Sequence, residues 1–69
     1  RRIGSTISIR LKDGAKYNGV LEEYDNFMNL ILTNVAEFEH DKEVAQYEEL
    51  FIRGNNVLFI EPTVRESTA

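Results

Sequence analysis

Alternating apolar and polar residues predict β-strands along most of the chain. From Ile7 to Leu11 every second residue is apolar, which is the period of a strand with one buried face. An Asp-Gly pair at positions 13 and 14 is typical of a tight turn, and a second strand is predicted over residues 16–24. Gly19 inside this strand indicates a bulge or a strong bend, as a short sheet requires when it curls towards a barrel.

The rest of the chain predicts three more strands. A turn over residues 24–29 is followed by a third strand over residues 30–39, a loop at 40–42 and a fourth strand over residues 43–52. The fifth strand covers residues 57–61, is ended by Pro62 and leads into a polar tail. No segment shows a convincing helical period. The prediction is therefore all-β: a strongly bent, five-stranded antiparallel sheet forming a small open barrel of the SH3-like or OB-like type.

The size and composition of the chain favour an oligomer. Its 69 residues predict a single domain over residues 1–69, and a domain this small is marginally stable on its own. The sequence contains no cysteine and one histidine, so disulfides and thiolate metal sites are excluded and a zinc site is nearly so. We expect no metal, no cofactor and no membrane-spanning segment. Association between subunits remains as the source of additional stability.

The predicted edges of the sheet support the same expectation. If the last two strands are the edges, they are rich in apolar residues and lack the lysine or internal proline that usually blocks edge pairing. Pairing between subunits in a closed ring would cover both edges. The net charge of −4 argues against nucleic-acid binding by bulk attraction, but it permits a site where a few arginines are concentrated.

Two motifs resemble those of a known family. Residues 11–32, "LKDGAKYNGVLEEYDNFMNLIL", resemble the first motif of the Sm and Sm-like proteins, with a turn glycine, a mid-strand glycine and an Asp-x-x-Met-Asn sequence. Residues 50–60, "LFIRGNNVLFI", resemble the second motif, and their central sequence is similar to that of F-type Sm proteins and their Sm-like counterparts. The two motifs follow each other in the family's order and cover nearly the whole chain.

The resemblance implies a bent five-stranded sheet that assembles into rings, usually heptamers, in which the fourth strand of one subunit pairs with the fifth of the next. Such rings bind uridine-rich single-stranded RNA around a central pore, in splicing or RNA decay. The implied location is the nucleus, the cytoplasm or both, and the cytoplasm for an archaeal protein. The family also has an N-terminal helix, which we expect to be short or missing because "RRIGST" leaves little room for it.

The resemblance also implies one nucleotide pocket per subunit, formed where residues 25–29 and 53–56 meet. Phe27 would stack on a base, Asn29 would bond the edge of the base, and Arg53 would cover its opposite face. The chemistry suits these roles, because a base presents π-faces to an aromatic ring and a guanidinium plane. An amide also offers the donor and the acceptor that the edge of uracil requires.

Neighbouring residues are expected to support this pocket. Gly54 would let the backbone approach the ligand and could adopt a positive φ at no steric cost. Asn55, where many family members have Asp, would orient Asn29 or the loop. Asp25 would bond the backbone of its own turn, and Met28 is assigned to core packing. Leu30 and Leu32 are assigned to the core as well, and secondary candidates for phosphate contacts are Arg10, Lys12 and Lys16.

Other interpretations remain open from the sequence. An enzyme is disfavoured, because there is no cysteine, no histidine beside a plausible serine and aspartate, and no glycine-rich phosphate loop. Phe27 taken alone could be an exposed loop aromatic, and Arg53 could form a surface ion pair worth ~0–1 kcal/mol. The chain could instead be a scaffold subunit of a mixed ring that acts mainly through protein contacts, or an archaeal homo-oligomer.

Overall fold

In the computed structural model, which describes residues 3–63, those residues form one bent sheet of five antiparallel strands. The strands are β1 (Thr6–Leu11), β2 (Lys16–Tyr24), β3 (Leu30–Glu39), β4 (Lys42–Ile52) and β5 (Val57–Pro62), and a 3-10 turn at Gly54–Asn56 precedes β5. Each strand agrees with the sequence prediction to within one residue at either end. The predicted all-β class and the five predicted strands are therefore confirmed.

The order of strands in the sheet is β4-β3-β2-β1-β5, which makes β4 and β5 the two edges. Each of β2, β3 and β4 pairs with the strand before it, whereas β5 crosses to the far side and pairs with β1. The short segment between β4 and β5 therefore connects opposite edges of the sheet and does not form a hairpin. A four-residue link can do this only because the sheet is bent far enough to bring its two edges close together.

The core lies on the concave face of this sheet. All four strands from β1 to β4 contribute fully or almost fully buried side chains, which are Ile7, Ile9, Leu21, Leu30, Leu32, Val35 and Ile52. They occur mostly at every second position of their strands, as a sheet with one buried face requires. The assignment of Leu30 and Leu32 to the core is confirmed.

Gly19 marks the point where β2 bends against β3. The pairing register between the two strands shifts between Asn18 and Val20, so a bulge lies where the sequence predicted one. A Cβ atom on Gly19 would lie 3.1 Å from both the carbonyl oxygen of Thr33 and a methyl group of Val35. A side chain at this position would press on both neighbours, and glycine lets the two strands approach this closely.

Pro62 differs slightly from its prediction, because it belongs to β5 and pairs with Ile7. The next amide, Thr63 N–H, donates to the carbonyl oxygen of Thr6 at 3.2 Å. Successive amides of a strand point in opposite directions, so the nitrogen of Pro62 points away from β1. An edge strand can accommodate this, since no ladder hydrogen bond is lost.

The structure describes only part of the two chain ends about which the sequence made predictions. Ile3 and Gly4 form a turn whose Gly4 N–H donates to the carbonyl oxygen of Leu21 at 2.7 Å. The rest of the segment for which a short or missing helix was expected, residues 1–2, lies outside the described residues, as do residues 64–69 of the polar tail. Over residues 3–63, no helix has the length and apolar character needed to cross a bilayer.

Candidate nucleic-acid interface

The loop between β2 and β3, residues 25–29, is organised by one carboxylate. Oδ1 of Asp25 accepts hydrogen bonds from the backbone N–H groups of Phe27 at 2.8 Å and Asn29 at 3.0 Å. The backbone of Asp25 also accepts from Met28 N–H and donates to the carbonyl oxygen of Asn29. Asp25 therefore bonds the backbone of its own turn, as the sequence predicted.

Asn29 connects this loop to the turn between β4 and β5, residues 53–56. Its Oδ1 accepts a hydrogen bond from the backbone N–H of Gly54 at 2.7 Å, and its Nδ2 donates to Oδ2 of Asp25 at 3.0 Å. Both partners fix the orientation of the amide, because an N–H needs an acceptor and a carboxylate needs a donor. One N–H and one oxygen lone pair of the Asn29 amide remain available for a ligand.

Of the two roles predicted for Asn55, orienting Asn29 is wrong, and orienting the loop stays a prediction. Within residues 3–63, the side chain of Asn29 is held by Asp25 and by the backbone of Gly54, and Asn55 is exposed in the 3-10 turn. The reason is geometric: the backbone N–H of Gly54 occupies the position at Asn29 Oδ1 that a side chain was expected to take. Asn55 still lines the cavity described below.

Gly54 is needed for a different reason than the sequence suggested. It is absent from the glycines with positive φ, so conformational freedom does not explain it. A Cβ atom at this position would overlap the carbonyl oxygen of Phe27 and lie 2.8 Å from the carbonyl carbon of Met28. The close approach made possible by Gly54 is therefore between the two loops of the protein itself.

Phe27 and Arg53 project from the joined loops into solvent. Phe27 is 78% exposed, and the Arg53 side chain is exposed as well. Among the described residues, the Arg53 guanidinium forms no ion pair or hydrogen bond, which removes the simple ion-pair interpretation for this part of the chain. An aromatic ring and a planar cation thus stand beside a fixed amide.

Met28 departs from its predicted place in the core. Its side chain is 46% exposed, and its backbone has φ 66°, a left-handed conformation that is uncommon for residues other than glycine. The hydrogen bonds of Asp25 around it close the turn in this conformation. The left-handed turn takes the Met28 side chain out of the alternating pattern that buries Leu30 and Leu32.

The two loops enclose an open cavity of about 440 Å³. All five residues predicted as RNA-binding line it, together with two that the sequence analysis did not select: the lining is Phe27, Met28, Asn29, Phe51, Arg53, Gly54 and Asn55. The signal that could have identified Phe51 is its spacing, since it lies two residues before Arg53 in an extended segment. Their role in binding RNA remains a prediction.

The secondary phosphate candidates lie elsewhere. Arg10 and Lys16 line a separate cavity of about 670 Å³ between the β1–β2 and β3–β4 turns, at the other end of β2 from residues 25–29. Arg10 donates to the carbonyl oxygen of Gly14, and Nζ of Lys16 lies 5.8 Å from the centre of the Phe38 ring. Lys12 is closer to the site, because its backbone N–H donates to the carbonyl oxygen of Asn56.

Hydrogen bonding makes the Asp25 carboxylate more acidic. The side-chain amide of Asn29 contributes most to lowering the pKa of Asp25, followed by the backbone N–H of Asn29, while partial desolvation opposes them. The backbone N–H of Phe27 adds a smaller contribution. The loop therefore contains a negative charge that is held in place by the N–H groups of residues 27 and 29.

Comparison with known proteins agrees with this geometry. The family model of the LSM domain matches residues 1–62. The chain belongs to the LSM domain family. This LSM domain is 43% identical over 58 residues to the U6 snRNA-associated Sm-like protein LSm6 of Debaryomyces hansenii, a match that covers 84% of this chain and 68% of the relative. The resemblance to Sm and Sm-like proteins is confirmed.

Solved structures show the same fold. The Sm protein of Pyrococcus abyssii, determined in complex with a uridine heptamer, superimposes with a TM-score of 0.86 at 33% identity, covering 88% of this chain and 86% of that one. A heptameric archaeal Sm protein superimposes with a TM-score of 0.84 at 31% identity, covering 90% of each chain. The open, bent sheet of this LSM domain is thus the Sm fold.

Acid titration tests the hydrogen bonds of Asp25. Because its folded-state pKa is lowered, the contribution of the carboxylate to loop stability is present above the ordinary pKa of about 4 and is lost as the pH falls through the lowered value. In an NMR titration of the Asp25 carboxyl carbon, we expect a pKa below the ordinary range and a return towards it in Asn29→Ala. Asn55→Ala is the control and should change nothing. An Asp25 pKa that is the same in Asn29→Ala as in the unaltered protein would contradict the hydrogen bond from Asn29 Nδ2 to Asp25 Oδ2.

Substitution of Gly54 tests the close contact between the loops. In Gly54→Ala the added methyl group must displace the Phe27 carbonyl, and we expect the free energy of unfolding to fall by about 1–3 kcal/mol. Asn55→Ala, at the adjacent exposed position, should stay within about 0.5 kcal/mol of the unaltered protein. Denaturant unfolding measures both variants. Equal stability of Gly54→Ala and the unaltered LSM domain would show that the loops are not in contact.

Proposed function

We propose that this LSM domain is an RNA-binding subunit of a ring-shaped complex that binds uridine-rich single-stranded RNA at its central pore. The observation that carries the proposal is the hydrogen bond between Asn29 and Gly54, because it joins the two loops into one site. The site presents an exposed aromatic ring, an exposed guanidinium and a fixed amide in a single cavity. The proposed activity is binding, and no catalytic step is assigned to the site.

The fixed amide accounts for a preference for uracil. At positions 3 and 4 of the pairing edge, uracil presents a donor and then an acceptor, whereas cytosine presents an acceptor and then a donor. A freely rotating amide could match either base by turning over. The Asn29 amide cannot do so without losing its bonds to Gly54 and Asp25, so it is complementary to only one order. The solved Sm protein that contains a uridine heptamer supports uracil as that base.

Stacking supplies the affinity at each position. A base inserted between the Phe27 ring and the Arg53 guanidinium is stabilised by about 1–3 kcal/mol per stacked base. A ring would place several such sites on one rigid frame, and their effective concentration would strengthen binding of a uridine run beyond the affinity of one pocket. Repeated copies of Arg53 would also concentrate positive charge at the pore of an acidic particle.

The two edge strands supply the surface for ring assembly. Val44 and Tyr47 on β4 and Leu58 and Phe59 on β5 are exposed large apolar residues on strands whose outer backbone groups lack a partner strand within residues 3–63. Pairing of β4 with β5 of the next subunit would bury both edges. Other LSM subunits, or further copies of this chain, are the proposed protein partners. The heptameric archaeal relative supports a closed ring.

RNA processing is the proposed cellular role. The similarity to a U6 snRNA-associated Sm-like protein supports a part in splicing and a location in the nucleus, the cytoplasm or both. RNA decay, and a cytoplasmic archaeal homo-oligomer, are the corresponding alternatives. The exposed apolar edges also favour a second candidate function, a scaffold subunit of a mixed ring that acts mainly through contacts with neighbouring subunits.

Substitutions in the cavity separate RNA binding from a scaffold role. In the assembled oligomer, Phe27→Ala and Arg53→Ala should each weaken oligouridine binding about 5- to 100-fold, because each removes one stacking surface. Fluorescence anisotropy at fixed salt measures affinity, and native mass spectrometry reports whether the oligomer persists. Arg53→Lys tests whether the planar guanidinium is needed. Lysine keeps only the charge, so this variant should also bind oligouridine more weakly than the unaltered protein.

A matched control lies at the other end of β2. Phe38→Ala removes the same phenyl ring in the separate cavity and should leave oligouridine affinity nearly unchanged. Unaltered binding in Phe27→Ala and Arg53→Ala, with the oligomer intact, would reject the pocket and favour the scaffold function. Loss of RNA binding with an intact oligomer supports direct contact.

A further inference from the structure

Phe51 is an exposed aromatic residue on the same side of the chain as Arg53. Ile52, between them, is 5% exposed and belongs to the core, whereas Phe51 is 59% exposed. Arg53 keeps an extended backbone, with φ −75° and ψ 136°, so the alternation of β4 continues through it. Side chains two residues apart in an extended segment project to the same side. Phe51 and Arg53 therefore stand next to each other outside the core.

Phe51 also lines the cavity that contains Phe27 and Asn29. Its partner across the ladder is Ile31 on β3, which lies just beyond the loop that carries both of those residues. The cavity thus has aromatic side chains from two separate segments, together with the guanidinium and the fixed amide. Exposed aromatic surface that is gathered in one cavity with polar groups is typical of a binding site.

We propose that Phe51 is a further RNA-binding residue of this site, with a nucleobase of single-stranded RNA as its ligand. The inference rests on the proposed function, and it adds a second aromatic surface to each subunit's pocket. Stacking tolerates any base, because every base has a π-face. Phe51 therefore contributes affinity without contributing to the choice of uracil, which belongs to the edge contacts of Asn29.

A neighbouring subunit is the alternative partner that could cover the Phe51 side chain, since β4 is an edge strand. RNA is favoured by position. The other exposed apolar residues of the edges, Val44 and Tyr47 on β4 and Leu58 and Phe59 on β5, do not line the cavity, whereas Phe51 lines it beside Arg53. Phe51 thus differs from those four residues of the edge strands in that its side chain lines the cavity.

The first test compares variants of Phe51 in the assembled oligomer. Phe51→Ala should weaken oligouridine binding about fivefold or more, Phe51→Leu should weaken it as well, and Phe51→Tyr should restore it because the aromatic face returns. The ratio of affinities for oligouridine and oligocytidine should stay constant in Phe51→Ala and fall in Asn29→Ala. Native mass spectrometry checks the oligomer in each case, and Phe38→Ala is the control for loss of a phenyl ring elsewhere.

The outcomes separate this proposal from the proposed function. Weaker binding in Phe27→Ala but not in Phe51→Ala would overturn the role of Phe51 and leave the proposed function standing. Full binding in both variants would overturn the proposed function. Dissociation of the oligomer in Phe51→Ala and Phe51→Leu would assign Phe51 to a subunit contact and overturn the proposal.

Photocrosslinking gives a direct readout of contact in the unaltered protein. Trypsin cleaves after Lys42 and Arg53, so Phe27 and Phe51 fall in different peptides, 17–42 and 43–53. Oligouridine that carries the photoreactive base thiouracil should crosslink to both peptides, and fragmentation should locate the second crosslink at Phe51. Crosslinking confined to residues 17–42 would overturn the proposal.

Discussion

The hydrogen bond from the Gly54 amide to the side chain of Asn29 is the interaction on which the site depends. It joins two segments that are 25 residues apart in the chain, at an N···O distance of 2.7 Å. The sheet prepares this contact, because β3 and β4 pair with Leu30 opposite Ile52. Asn29 and the 53–56 turn lie immediately beyond that pair. The core leucines and isoleucines thus set the register that brings the two loops together, and Gly54 removes the Cβ atom that would keep them apart.

Rigidity and exposure are divided among neighbouring residues of the site. Asp25 and Asn29 form hydrogen bonds within the loop, and these bonds fix the turn and the orientation of the Asn29 side-chain amide. The side chains of Phe27 and Arg53 form no such bonds within residues 3–63 and project into solvent. In the proposed function, a site of this kind would bind RNA with little loss of side-chain freedom at the amide, its preorganised edge would give selectivity, and the exposed planes would give affinity.

Sequence patterns predicted the strands and the turn-forming role of Asp25, because both depend on local chemistry. Period-two alternation and turn residues act over a few positions, and the carboxylate of Asp25 bonds groups at most four residues away. The reason for Gly54 could not be found in this way, since the atoms that exclude a side chain there belong to residues 27 and 28. Met28 followed the apolar pattern but left the core because the turn is left-handed at that position. The position of Phe51 in the cavity could not be predicted in this way either, because the residues that lie beside it, 27–29, are distant in the chain.

The most direct test of the central claim is a structure of the assembled protein with bound oligouridine. The account predicts a uracil between the Phe27 ring and the Arg53 guanidinium, its edge bonded to an Asn29 amide that keeps its contacts to Gly54 and Asp25. Uridines bound away from residues 25–29 and 53–56, with that hydrogen bond unchanged and the cavity unoccupied, would contradict it.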